Sequence, residues 1–121
     1  MDAITCALNF IERAVVAARR ERWAGFAAKQ ATHAKFLDSL DHALANVIDK
    51  SLAGARFTSA DWAEPGWRYT SDGIFGGELQ TLREGYDTAS PYGGWLLLSA
   101  SGGLAILRPE GHQDDEVFLR F

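Results

Sequence analysis

Cysteine, proline and long apolar runs are all scarce in this chain of 121 residues. The single cysteine, Cys6, excludes an intramolecular disulfide and is typical of a reducing compartment. No apolar run approaches the roughly 20 residues that span a bilayer. The first residues, MDAITCALNF, begin with an acid and lack the basic segment that opens a secretory signal. We therefore expect a cytoplasmic protein without membrane contact.

Sequence signatures of known chemistry are also missing. The chain has no P-loop, no GxGxxG, no HExxH, no GxSxG and no CxxC. Its Gly-Gly pairs precede no predicted helix, so they lack the free amides of a helix N-terminus that bind phosphate, and we interpret them as turns. We therefore predict no cofactor and no metal, and we favour a protein that is not an enzyme.

Charge and aromatic residues are concentrated in the second half. Residues 1–50 carry seven Lys or Arg and six Asp or Glu, whereas residues 51–121 carry five and ten, a net charge of −5. Ten of the 14 aromatic residues follow residue 50. A nucleic-acid partner would require a basic face, so we predict none. A basic protein partner fits better, because complementary potentials accelerate and select association.

Residues 1–54 predict a pair of helices. No glycine or proline interrupts the alanine-rich stretch from residue 2 to about residue 22, and a wide apolar stripe recurs there at helical spacing through Ile4, Leu8, Ile11, Val15 and Ala18. A second helix is predicted from about residue 27 or 31 to residue 53. We interpret Cys6 as a core residue of the first helix.

From residue 55 the pattern changes to short strand-like runs separated by turns. Strands are predicted at 67–70, 78–83, 95–98, 104–107 and 116–121, and residues 84–94 are predicted to form a loop. The chain is therefore predicted to be a single α+β domain over 1–121. Its N-terminal antiparallel helix pair (1–54) packs on a C-terminal, mainly antiparallel four- to five-stranded sheet (55–121).

The hairpin YGGWLLLSASGGLAIL is apolar on both sides of each strand. Trp95 and Leu97 point one way while Leu96 and Leu98 point the other, which is typical of a central strand with both faces covered. The helix pair covers one face. The second face could be covered by the 54–66 connection, by a curled sheet or by another chain, and we favour covering by the chain itself.

The candidate binding residues are aromatic and acidic side chains in predicted loops. Tryptophan and tyrosine are over-represented at binding hot spots, and acids suit a basic partner. The candidates are Asp61, Trp62, Glu64, Tyr86, Asp87, Tyr92, Asp114, Asp115 and Glu116. The acidic segment 110–116 also contains His112, but it lacks calcium-loop spacing, so we interpret it as a solvated loop.

The resulting functional prediction is a small non-catalytic protein-binding module. It would be an inhibitor or immunity-type protein in general character, neutralising a basic partner through acidic and aromatic loops. One alternative is a small-molecule-binding or catalytic domain with a pocket lined by His33, Trp67, Tyr69 and Trp95. A second alternative is a homodimeric assembly protein. His33 itself is interpreted as a histidine at the core edge, bonded to a backbone carbonyl.

Overall fold

The computed structural model describes residues 1–40, 43–109 and 116–121. The helices are α1 (Ala3–Ala14), α2 (Arg20–Ala28), α3 (His33–Asp38), α4 (Ser59–Trp62) and α5 (Leu82–Asp87). The strands are β1 (Gly66–Thr70), β2 (Phe75–Leu79), β3 (Trp95–Ser99), β4 (Leu104–Arg108) and β5 (Val117–Arg120). They form an antiparallel sheet in the order β2-β1-β3-β4-β5. The α+β prediction is confirmed.

The first predicted helix is shorter than its sequence pattern indicates. Helix α1 ends at Ala14 because Val15 is extended, with φ −87° and ψ 141°, and forms an antiparallel bridge with Ile48. The amide of Val16 donates to the carbonyl of Val47 at 2.8 Å. Two successive β-branched residues accept this extended conformation readily. A contact between distant segments thus overrides the local helical period.

The second predicted helix is also interrupted. Lys29 is extended, with φ −122° and ψ 133°, between α2 and a short 3₁₀ turn. Helix α3 ends at Asp38, and the described residues beyond Ala43 form 3₁₀ turns at Ala45–Val47 and Lys50–Leu52. The N-terminal half therefore consists of several short helices where the periodicity predicts two long ones. Among the described residues, no helix is long and apolar enough to cross a bilayer.

The predicted wide apolar face of the first helix is confirmed at its centre, where Ile11 and Val15 are fully buried, and is wrong at its two ends. Phe10 and Ala14 are fully buried, whereas Ile4 is exposed and Ala18 lies outside the helix on the surface. Cys6 is buried, and its Sγ donates to the carbonyl of Ser99 at 3.3 Å. Burial raises the pKa of the Cys6 thiol, which keeps it protonated. Its interpretation as a core residue is confirmed.

The sheet separates two hydrophobic cores, as the alternation in the hairpin predicts. Leu96, Leu98, Ala105 and Leu107 face the N-terminal helices, in the first core. The second core lies on the opposite face and contains Leu79, Leu82, Trp95, Leu97, Leu104 and Ile106. Strand β3 lies third of five in the sheet, and all five of its residues are buried. Its assignment as a central strand covered on both faces is confirmed.

The chain covers the second face itself. Phe57 and Trp62, from the connection before β1, pack on the second core together with Tyr86 of α5. Residues 84–94 are therefore only partly a loop, because α5 extends to Asp87. The strand predicted at 78–83 is also shifted, since β2 ends at Leu79 and Leu82 already begins α5. A homodimer is consequently not needed to bury this face.

Candidate partner-binding surface

Helix α4 begins at a capping box that places two of the candidate residues. The Thr58 hydroxyl accepts from the amide of Asp61 at 3.2 Å, and the Asp61 carboxylate accepts from the amide of Thr58 at 2.8 Å. This reciprocal pair satisfies two amides that a helix start leaves free. Trp62 follows in the same short helix and leans over the second core.

Helix α5 is capped in a similar way. The Thr81 hydroxyl accepts from the amide of Glu84 at 3.0 Å, while the Glu84 carboxylate accepts from the amide of Gln80 at 3.0 Å. The amide of Leu82 also donates to the carbonyl of Glu64 at 2.8 Å, which ties α5 to the segment after α4. The two short helices therefore lie side by side on the second core.

The aromatic residues of both helices meet edge to face. The Trp62 ring centroid lies 5.2 Å from that of Tyr86 and 5.3 Å from that of Phe57. Tyr86 in turn lies 6.1 Å from Trp95. These separations suit favourable edge-to-face pairs. Trp62 and Tyr86 are both half-buried, so each ring supports the second core and still reaches the surface.

Charged groups surround the aromatic pair. The guanidinium of Arg83 lies 5.0 Å from the Trp62 ring centroid and forms an i,i+4 ion pair with Asp87 at 3.4 Å. The Tyr86 hydroxyl donates to the carboxylate of Glu116 at 2.7 Å. This hydrogen bond, with desolvation in second place, raises the pKa of Tyr86. Tyr86 and Glu116 are thereby held as one hydrogen-bonded unit.

The other side of α4 carries a second ion pair. Arg120 of β5 donates from Nη2 to the Asp61 carboxylate at 2.6 Å, and the Asp61 side chain is only 15% exposed. The hydrogen bond to Arg120, followed by that from the Thr58 amide, lowers the pKa of Asp61. Glu64 accepts from the Ser101 hydroxyl at 2.8 Å nearby. Asp61, Glu64, Ser101 and Arg120 line a groove of about 600 Å³.

The lowered pKa of Asp61 predicts a pH-dependent contribution to stability. A carboxyl group whose pKa is lower in the folded chain stabilises the fold above its ordinary value of 3.8, and that contribution disappears as the pH falls through the lower, folded value. We expect Asp61→Asn to lower the urea midpoint at pH 7. The difference from the wild type should shrink as the pH falls below 3.8.

Arg120→Met provides the matched background for this prediction. The hydrogen bond from Arg120 is the largest cause of the lowered pKa of Asp61. Asp61→Asn should therefore lower the urea midpoint less in the Arg120→Met background than in the wild type. Urea titrations of the wild type, the two single variants and the double variant at pH 7 and pH 3 measure this coupling. An Asp61→Asn effect that is equal in both backgrounds, or that grows at pH 3, would contradict the prediction.

Six of the nine predicted binding residues belong to this region, which we name the α4–α5 surface. It comprises Asp61, Trp62, Glu64, Tyr86, Asp87 and Glu116. Tyr92 is not part of it. It is 81% exposed, in the loop that follows α5, and its neighbour Gly94 donates to the hydroxyl of Ser71 in the β1–β2 turn. Asp114 and Asp115 lie outside the described residues.

The proposed pocket between the helices and the sheet is not formed by the predicted residues. Trp95 belongs to the second core, whereas Tyr69 belongs to the first core, on the other face of the sheet. The Tyr69 hydroxyl donates to the carbonyl of Ala3 at 2.5 Å, and burial raises the pKa of Tyr69. His33 stacks on Phe75 at 3.6 Å, with Nε2 2.9 Å from the carbonyl of Ala27. Its assignment as a core-edge histidine is confirmed.

The cations beside this surface and two aromatic residues beneath it are not among the residues predicted from the sequence. Arg83 could have been found from its i,i+4 spacing to Asp87 on a helix. Arg120 is separated from Asp61 by 59 residues, so only the folded chain shows their pairing. Phe57 and Phe118 support Trp62 from below, at 5.3 and 6.0 Å between ring centroids.

Comparisons with known protein families, with curated proteins and with solved structures find no match for this chain. Within the described residues, no three His, Cys, Asp or Glu side chains gather closely enough to hold a metal ion. The α4–α5 surface consists of half-buried rings, hydrogen-bonded acids and two shallow grooves. One of these grooves is the Asp61–Arg120 groove, and the other, of about 390 Å³, is lined by Ser59, Trp62, Ala63, Thr81 and Arg83.

Proposed function

We propose that this chain is a non-catalytic protein-binding module of the inhibitor or immunity type, which binds a basic partner protein through the α4–α5 surface. The observation that carries the proposal is the convergence of six predicted binding residues from three separate segments onto one side of the sheet. Their rings are fixed by packing on the second core, so little conformational entropy is lost when a partner binds.

The charges of this surface favour a cationic partner. Five acids lie on or beside this surface once Glu84 of α5 is counted with the other four. The cations next to them are Arg68, Arg83, Arg108 and Arg120. Segment 110–115, directly before Glu116, adds three acids in the sequence. The two grooves on either side of α4 offer space for partner side chains, and basic groups entering them would meet Asp61, Glu64 or the Trp62 ring. Buried rings would control dissociation, and the acids would control association.

The test is affinity capture from the cells that make the protein, with a pair of charge-matched double variants. Glu64→Lys/Asp87→Lys reverses two acids of the α4–α5 surface. Glu12→Lys/Asp38→Lys reverses two exposed acids of α1 and α3, so the net charge changes equally. We expect the wild type and the helix variant to retain one stoichiometric basic protein, and the surface variant to lose it by about tenfold or more.

Circular dichroism and urea titration confirm that both double variants are folded before capture. Equal capture by the two variants would assign binding to another surface. Native mass spectrometry that detects only a bound small molecule, with no protein partner, would favour the alternative of a small-molecule-binding domain.

A further inference from the structure

One edge strand of the sheet, β5, is hydrogen-bonded to a further segment of the chain, whereas the other edge strand, β2, is not. At the β5 edge, Ala53 bridges Leu119, the amide of Ala55 donates to the carbonyl of Phe118 at 3.1 Å, and Arg120 donates to the carbonyl of Arg56. The segment before α4 thus covers this edge. At the β2 edge, no backbone hydrogen bond joins residues 75–79 to any described residue outside β1. An uncovered edge presents free amides and carbonyls to another chain.

Strand β2 is only partly protected as an edge, because it is short, bulged and carries Glu78, but no described segment pairs with its outer side. Its sequence, FGGEL, contains no lysine and no proline. A bulge at Gly76, where φ is +85°, shifts the register against β1. Gly77, Glu78 and Leu79 beyond the bulge keep regular pairing with β1. The exposed edge is therefore short, and it is confined to the regularly paired residues 77–79.

The charges around this edge indicate the kind of segment that can bind. Asp2, Asp72 and Glu78 are all exposed. The N-terminal ammonium partly offsets Asp2, and Arg68, which pairs with Gly77, directs its guanidinium away to Gly85 and Thr88 of α5. Asp72 and Glu78 are therefore the charges left to this edge. Ile74 precedes the strand and is 42% exposed, so apolar contact is also available. A second copy of this chain would oppose acids with acids, and the bulge would restrict the pairing to about three residues. A short basic segment avoids the repulsion between acids, and it needs no more than the three residues that the bulge leaves.

We propose that the open edge of β2 binds an extended, lysine- or arginine-bearing segment of a partner protein as an added β-strand. Backbone hydrogen bonds to residues 77–79 would provide affinity, and Glu78 and Asp72 would select basic side chains. This site uses different residues from the α4–α5 surface, and so the inference does not rest on the function proposed above.

The probe is the acetylated and amidated hexapeptide (Lys-Val)₃, titrated into the full-length ¹⁵N-labelled protein. We expect amide shifts concentrated at residues 75–79. Two further peptides carry N-methyl groups on either all the lysines or all the valines. Because alternate residues of a strand direct their amides to the same side, one of these peptides should lose binding and the other should keep it.

Charge-reversal variants test the selectivity. Glu78→Lys should weaken the binding of the hexapeptide by about fivefold or more, since it places like charges opposite each other. Glu12→Lys, an equal charge change on the exposed side of α1, should leave binding nearly unchanged. The acidic peptide (Glu-Val)₃ should not bind.

Several outcomes would overturn the proposal. They are no binding at millimolar peptide, shifts away from residues 75–79, equal affinity of both N-methylated peptides and the unmodified one, or equal effects of Glu78→Lys and Glu12→Lys. Light scattering that shows concentration-dependent dimers, with shifts at 75–79 in the absence of peptide, would assign the edge to a second copy. The capture experiment with Glu64→Lys/Asp87→Lys tests the α4–α5 surface alone, so its outcome does not depend on whether the peptide binds at β2.

Discussion

Replacing Gly66 by alanine is expected to destabilise the fold by about 2 to 3 kcal/mol, the upper part of the range of about 1 to 3 kcal/mol for forcing extra volume into a packed interior. A methyl group on Gly66 would lie closer than 3.0 Å to the carbonyl oxygen of Leu98 and 2.8 Å from Cδ2 of Leu82. The carbonyl belongs to the central strand β3 and cannot move alone. Relief therefore requires β1 to separate from β3 where the two strands pair.

The consequences of this change should extend to the α4–α5 surface. The two residues before Gly66 both accept backbone hydrogen bonds. The carbonyl of Pro65 accepts from the amide of Ala100 at 2.9 Å, and the carbonyl of Glu64 accepts from the amide of Leu82. A shift at the start of β1 therefore moves the segment that joins α4 to α5. Urea unfolding followed by circular dichroism measures the loss of stability, and amide shifts at residues 59–64 and 82–87 measure the displacement.

Gly25→Ala is the matched control. Gly25 lies within α2, and nothing would lie within 4 Å of an added methyl group. Because glycine costs helices roughly 0.5–1 kcal/mol relative to alanine, this variant should be slightly more stable than the wild type. A Gly66→Ala midpoint equal to that of the wild type would contradict the close approach of β1 to β3.

The sheet was predictable from the sequence because its signal is local. An alternation of period two places Trp95 and Leu97 on one face and Leu96 and Leu98 on the other, and the structure separates them in this way. The helices of the N-terminal half were less predictable. Their apolar period continues past residue 14, whereas the bridge from Val15 to Ile48 depends on a segment more than thirty residues away.

The short helices that position the candidate surface did have a sequence signal. Thr58 precedes Asp61 by three residues, and Thr81 precedes Glu84 by three, which is the spacing of a capping box. Helices of four and six residues have too few positions to show a helical period of apolar residues, so only their capping residues indicate them in the sequence. The pairing of Asp61 with Arg120 had no local signal, because it depends on how β5 joins the sheet.

The second large effect concerns the two faces of the central strand. Leu96→Ala and Leu97→Ala should each lower the free energy of unfolding by about 3 kcal/mol, because both side chains are fully buried in packed cores. If the second core were only loosely covered by α4 and α5, the Leu97 cavity could collapse and Leu97→Ala would cost much less. Urea titration of both variants, with m-values compared, measures the two costs directly.

Amide hydrogen exchange then shows which helices each of the two variants destabilises. Cδ1 of Leu97 lies 3.3 Å from the position that a methyl group on Gly85 would occupy, so Leu97 lies directly beneath α5. Leu97→Ala should speed amide exchange in α5 more than Leu96→Ala does, and Leu96→Ala should act more strongly on α1. Exchange in α5 that is equally fast in both variants would mean that α5 opens only with the whole chain. In that case the rings of the α4–α5 surface would be as rigid as the sheet beneath them, which favours their role as preorganised contacts.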